Sequence, residues 1–177
     1  MKKVDFKTIE KDPYLERAIH EEIRILSKFK HPNVVQLMEV LNSKRSLYII
    51  MEYCKDGDLK KYLKRREREG LPEAESLAIM KQIIKGYQEL ARNNTIHRDL
   101  KPANILINGG YFKICDFGFS KVIKDPTVAN KTCVGSPIYM APQILDKKDY
   151  SAKCDIWSLG IIFYELLHGT VPWSAKS

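Results

Sequence analysis

An α+β fold in two unequal parts is predicted by three features: a helix-period stretch followed by two β-rich runs, a polar joint after Tyr53, and long helical patterns beyond it broken by one short hairpin. Leu15, Ile19, Ile23, Leu26 and Phe29 recur at steps of four and three, the spacing of one helix face, so the first helix is expected from Pro13 to about Phe29. Val34 to Leu41 and Leu47 to Tyr53 read as strands joined by the turn residues Asn42, Ser43, Lys44 and Arg45. Lys55, Asp56 and Gly57 form the joint, Asp58 can cap a short helix, and a long amphipathic helix follows Pro72. Leu77, Met80, Ile84, Tyr87 and Ala91 mark its expected buried face, and Asn93 and Asn94 its end.

Asn104 to Ile107 and Tyr111 to Cys115 flank Asn108, Gly109 and Gly110, residues that accept positive φ and so predict a tight hairpin. Antiparallel strands there bring Asn104 and Asp116, at the two outer ends, together. From Gly118 to Gln143 no periodicity is visible, and a long functional loop is expected. The run Ile156 to Leu167, apolar on every side, predicts a buried helix.

Composition narrows the function classes. The chain has 177 residues, 44% of them hydrophobic, enough for a real core. Its net charge of +8 is spread apart from the first residues and the stretch Lys60 to Arg68, which reads as solvated helix faces, with a basic surface toward acidic or phosphorylated partners as the other reading. The charge is not organised with exposed aromatics or a reading motif, which argues against nucleic-acid binding. Cys54, Cys115, Cys133 and Cys154 stand far apart with no zinc-ligand spacing, pointing to a reducing, cytoplasmic setting. The most apolar run is shorter than the roughly 20 residues of a membrane span, and it carries Glu165. Nothing in the pattern signals an oligomeric state.

The chemistry is carried by His97-Arg98-Asp99-Leu100-Lys101-Pro102-Ala103-Asn104, followed by Asp116-Phe117-Gly118. This pair of motifs resembles the signature of eukaryotic serine/threonine protein kinases, and the resemblance runs from about Lys2 to Trp173. It implies a partial two-lobed fold: a small β-rich N-lobe remnant with its helix C over residues 1–53, and over 54–177 a mainly helical C-lobe lacking its last helices. It also implies ATP and Mg2+ as cofactors and serine or threonine hydroxyls of protein substrates as acceptors. By resemblance Asp99 is the catalytic base, Lys101 neutralises the transferred phosphate, and Asn104 and Asp116 hold magnesium, a hard ion that prefers oxygen ligands. His97 and Asp155 are expected to be scaffold, the latter anchoring the catalytic loop.

Upstream, Lys2 matches the ATP-contacting lysine and Glu22 its partner on helix one. Met51, Glu52, Tyr53 and Cys54 resemble the hinge that binds adenine, with Asp58 near the ribose and Leu106 beneath the adenine. Leu26, Leu37, His97 and Phe117 resemble the apolar stack linking the lobes. Gly135-Ser136-Pro137-Ile138-Tyr139-Met140-Ala141-Pro142 resembles the substrate-docking end of the activation segment, in wording similar to the autophagy-initiating branch. Thr132 is the expected activating phosphosite, with Arg98 as its partner and Ser120, Thr127 and Ser136 as rivals.

The sequence departs from the family pattern in three places. It has no glycine-rich phosphate loop, it stops soon after Trp173, and Gln143 replaces a glutamate that pairs with an arginine in a later helix. The expectation is therefore a fragment, weakly active or inactive by itself, of an active kinase. A catalytically inactive kinase-like binding module is the alternative, and the intact catalytic positions weigh against it.

Overall fold

The computed structural model describes residues 1–66, 69–123 and 133–173. Strand β1 (Lys2–Asp5) leads through the single turn α1 (Phe6–Ile9) into α2 (Pro13–Leu26). The Asp12 carboxylate accepts the Tyr14 and Leu15 amides and Pro13 fills the first turn, so α2 starts where its free N–H groups are satisfied. It ends three residues earlier than its apolar spacing suggested. Phe29 is still buried, carried into the core by the turn after the helix.

Strands β2 (Leu37–Asn42) and β3 (Ser46–Met51) pair antiparallel, and β1 pairs with the other edge of β3, giving a three-stranded sheet of order β1-β3-β2. After the joint, α3 (Leu59–Arg65) begins at Asp58, whose carboxylate accepts the Lys61 amide at 2.8 Å. Next come α4 (Glu73–Arg92) and β4 (Thr95–Ile96), and then a 3-10 turn, Pro102–Asn104, leads into β5 (Ile105–Asn108) and β6 (Tyr111–Ile114). Gly109 and Gly110 form the two-residue turn at φ 57° and 82°, as a tight hairpin requires.

Further sequence expectations are corrected. The buried face of α4 is Ser76, Ile79, Met80, Ile83, Gly86, Tyr87 and Leu90, while Leu77 and Ile84 face solvent. Asn33 decides that rotation: its carbonyl lies 2.4 Å from where a Cβ on Gly86 would stand, so only the glycine edge of α4 can seat against it. The stretch after Gly118 is also less irregular than expected. It holds β7 (Lys121–Val122), which pairs with β4, a 3-10 turn at Pro137–Tyr139, and the short helix α5 (Pro142–Leu145). Such short elements carry too few residues to show a period.

The last helix, α6 (Lys153–His168), is not apolar-buried all round. Asp155, Leu159, Ile162 and Leu166 are inside, but Ile156 and Trp157 are exposed, and Trp157 stacks on Trp173. One apolar core runs continuously from Ile25 and Leu26 of α2 through Val34, Ile114 and Phe117 to Ile83 and Leu90 of α4 and Ile162 of α6. A second, smaller cluster joins Ile96, Met140, Ile144, Tyr150 and Cys154. Among the described residues no helix is long and apolar enough to cross a membrane.

Candidate active site

Asp99 sits in the loop between β4 and β5, and two anchors hold that loop. Asp155 of α6, fully buried, accepts the backbone N–H groups of His97 at 2.8 Å and Arg98 at 2.9 Å. Burial pushes its carboxyl above the usual range, and the charge and amide of His97 and then Arg98 pull the other way. The His97 ring, also fully buried, lies 3.0 Å from the Cys115 carbonyl through Nε2 and packs on Phe117. Both residues are therefore scaffold in position, and the loop cannot shift without stranding buried polar groups.

The Asp99 carboxylate is itself buried, and three side chains orient it. Oδ2 accepts from Lys101 Nζ at 2.7 Å and from Asn104 Nδ2 at 3.0 Å, while Oδ1 accepts from the Ser136 hydroxyl at 2.8 Å. Lys101 Nζ also donates to Ser136 Oγ at 2.7 Å. Ser136 is the residue that sequence reading missed in this role, having marked it only within the docking motif and as a rival phosphosite. No local signal could reveal it, because 37 residues separate it from Asp99.

The β5–β6 pairing brings the backbones at Asn104 and Asp116 side by side, with Cys115 donating its N–H to the Asn104 carbonyl at 3.0 Å. Asn104 uses its amide nitrogen on Asp99, leaving its oxygen for another partner. Asp116 is exposed and, among the described residues, takes only a long 3.4 Å bond from the Gly118 amide. Arg98 and Asp116 both hold positive φ, 69° and 62°, a backbone state that costs about 1–3 kcal/mol for non-glycine residues and gathers at functional positions. An amide oxygen and a carboxylate are hard donors, so this pair fits a magnesium ion that takes its remaining ligands from phosphate and water.

Above lies a cleft of about 510 Å³ between the sheet and the β5–β6 hairpin, lined by Lys2, Glu22, Met51, Cys54, Leu106 and Asp116 among others. Lys2 Nζ bonds Glu22 Oε2 at 2.6 Å, and Glu22 is buried, so the two residues expected to pair are in contact. Glu52 also lines the cleft, and its carboxylate is spoken for three times, by Lys113 Nζ at 2.8 Å, by the Gln36 backbone N–H at 3.2 Å and by the Cys54 thiol at 3.6 Å. Asp58 borders the cleft beside Leu106. Its backbone bridges to Leu106, but its carboxylate caps α3 and pairs with Lys61.

Phe117 is buried between Phe29 and His97, with ring centroids 5.5 and 5.3 Å away, so Phe29 joins the apolar stack expected from Leu26, Leu37, His97 and Phe117. Arg98 Nε donates to the Phe119 carbonyl at 2.5 Å. Thr132, its expected partner once phosphorylated, lies outside the described residues, as does Thr127.

The family model described as "Protein kinase domain" matches residues 1–177. The chain belongs to the protein kinase domain family. Among the relatives of this kinase domain, the serine/threonine-protein kinase ATG1c of Arabidopsis thaliana is 40% identical over 92% of the chain, and atg1 of Dictyostelium discoideum 42% over 95%. The serine/threonine protein kinase OSK3 of Oryza sativa is 42% identical over 92%. The similarity to the autophagy-initiating branch, first seen in Gly135 to Pro142, thus extends over nearly the whole chain. The chain spans only 22%, 26% and 32% of the length of these three relatives.

Proposed function

We propose that this chain carries the catalytic centre of an ATP- and magnesium-dependent protein serine/threonine kinase. The observation that carries the reading is the buried Asp99 carboxylate, held at once by Lys101, Asn104 and Ser136 beside Asp116. Oδ1 of Asp99 has a lone pair beyond the one taken by Ser136, so an incoming substrate hydroxyl can donate there and give up its proton as its oxygen is phosphorylated. Lys101 has three donors and spends two on Asp99 and Ser136, which leaves one for an oxygen of the transferred group. Asn104 and Asp116 would hold the magnesium ion, and Lys2, fixed by Glu22, would meet the nucleotide phosphates. Magnesium-bound ATP supplies the phosphoryl group when present.

Leu106, Met51 and the backbone of Glu52 to Cys54 would receive the adenine, and the boundary between the lobes is proposed at residues 53 and 54. Serine and threonine specificity is supported by Lys101 and by the printed names of the relatives. A cytoplasmic location is supported by the four free thiols. Asp116→Asn should lower turnover by about a hundredfold or more in the full-length protein. Wild-type activity in that variant would end the metal assignment, and ATP binding without any transfer by the unaltered protein would favour a binding module.

Control by phosphorylation at Thr132, with Arg98 as the guanidinium partner, belongs to the same proposal. Thr132→Ala and Arg98→Ala should each reduce activity, and the double variant should lose no more than the worse single one. Simply additive losses would show that the two residues do not act as a pair.

A further inference from the structure

Beside Asp99 runs a groove of about 340 Å³ whose lining includes Lys60, Lys101, Ala103, Ser136, Ile138 and Tyr139. We propose that this groove selects protein substrates bearing an anionic side chain, carboxylate or phosphate, near the acceptor hydroxyl, and that Lys60 reads it. The inference rests on the kinase reading above, because the groove adjoins the carboxylate proposed to receive the hydroxyl.

Among the described residues the lining holds two cations and no anion, set against the apolar surfaces of Pro102, Ala103, Pro137 and the 40% exposed Ile138. The two lysines are not equivalent. Lys101 Nζ is committed to Asp99 and Ser136, both at 2.7 Å, and so belongs to the reacting centre. Lys60 is exposed and forms no ion pair among the described residues, whereas its neighbours on and after α3 do: Lys61 with Asp58 and Arg66 with Glu75.

One carboxylate feels Lys60 without quenching it. Glu165, pushed up by burial, is drawn back down first by the Tyr139 hydroxyl and then by the Lys60 charge, but its Oε2 is taken by Tyr139 at 2.6 Å and no Lys60–Glu165 contact forms within bonding range. Lys64, one turn further along the same face of α3, is also exposed and without an ion pair among the described residues. α3 packs against Pro102–Asn104, and of its lysines Lys60 lines the groove. An occupant that covers Ile138 and answers Lys60 must combine an apolar residue with a negative charge. Lys60, read from sequence as part of a solvated face, thereby gains a specific task.

The test is a set of peptides with one serine acceptor in which Asp, phosphoserine, Asn or Lys is moved singly through the flanking positions. kcat/KM is measured for the full-length wild-type protein and for its Lys60→Ala and Lys60→Glu variants, whose melts report folding. In the wild type, Asp at one or two positions should raise kcat/KM roughly fivefold over Asn, the scale of one exposed ion pair, and doubly charged phosphoserine should raise it further. A gain from phosphoserine alone would assign the site to phosphate. Lys60→Ala should bring the Asp-to-Asn and phosphoserine-to-Asn ratios near one, and Lys60→Glu should turn the preference toward Lys. Turnover without anionic preference, or a preference that survives Lys60→Ala, overturns the role of Lys60. Failure of the wild type to phosphorylate any peptide overturns the kinase reading instead, and the inference with it.

Discussion

Cys115 stands directly before Asp116 at the back of the cleft, and burial, followed by the charge of Asp116, pushes its thiol up to about 12. Cys154 is pushed to about 12 by burial and then by Asp155, and Cys54 to about 11 by burial and then by Glu52. The folded protein therefore keeps three protons that the unfolded chain, with thiols near 9, gives up sooner. Their contribution to stability is whole below about pH 9 and is lost as pH rises from there toward about 12. Denaturant midpoints measured from pH 8 upward should fall, with Tyr87, also raised by burial, adding to the fall at the alkaline end. Cys115→Ala should make that fall shallower, and an unchanged slope would mean that its thiol titrates normally in the folded state. The same protonation makes Cys115 a poor nucleophile at neutral pH despite its place in the cleft.

At the scale of elements, α4 shows how a helix chooses its face. Leu77, Met80, Ile84, Tyr87 and Ala91 make a plausible apolar stripe, yet the helix turns Ser76, Ile79, Ile83, Gly86 and Leu90 inward together with Met80 and Tyr87. Met80 and Tyr87 belong to both stripes, so the choice falls to the rest. Gly86 is decisive because the Asn33 carbonyl fills the space a side chain would need, and Asn33 is tied by its amide to Gln82 at 3.0 Å and to the Phe112 carbonyl at 2.9 Å. Gly86→Ala would gain about 1 kcal/mol in helix propensity. It should nevertheless destabilise the protein by about 1–3 kcal/mol, because a Cβ 2.4 Å from a fixed backbone oxygen forces α4 or the Asn33 turn to move. A thermal melt decides it, and a raised midpoint would mean that the turn yields.

For the molecule as a whole, the joint between the sheet and the helical part is held by charge as well as by the continuous core. Glu52 follows β3, accepts the Gln36 amide from the approach to β2, and meets Lys113 of β6 at 2.8 Å, with only 18% and 12% of the two side chains exposed. One carboxylate thus ties three segments. Lys113→Ala should cost about 2 kcal/mol by leaving Glu52 half-buried and without its cation, a figure reduced from the fully buried case because water still reaches the pair. Adding Glu52→Gln should recover part of that loss. If the two single losses sum in the double variant, the pair does not couple the segments.

The sequence by itself determined the elements whose signals are local: α2 behind Pro13, the Gly109–Gly110 hairpin, the α3 cap at Asp58, and the order of Asp99, Lys101, Asn104 and Asp116 along the chain. It also determined that Asn104 and Asp116 adjoin, because hairpin pairing follows from the turn. Tertiary structure alone decided which face of α4 is buried, that Ser136 reaches back to Asp99 and Lys101, that Glu52 meets Lys113, and that Lys60 overlooks the groove. The division has one physical cause. Caps, turns and periodicities are set by neighbours within a few residues, whereas these later contacts join residues whose partners lie on other elements and are selected by the space and charge that packing leaves.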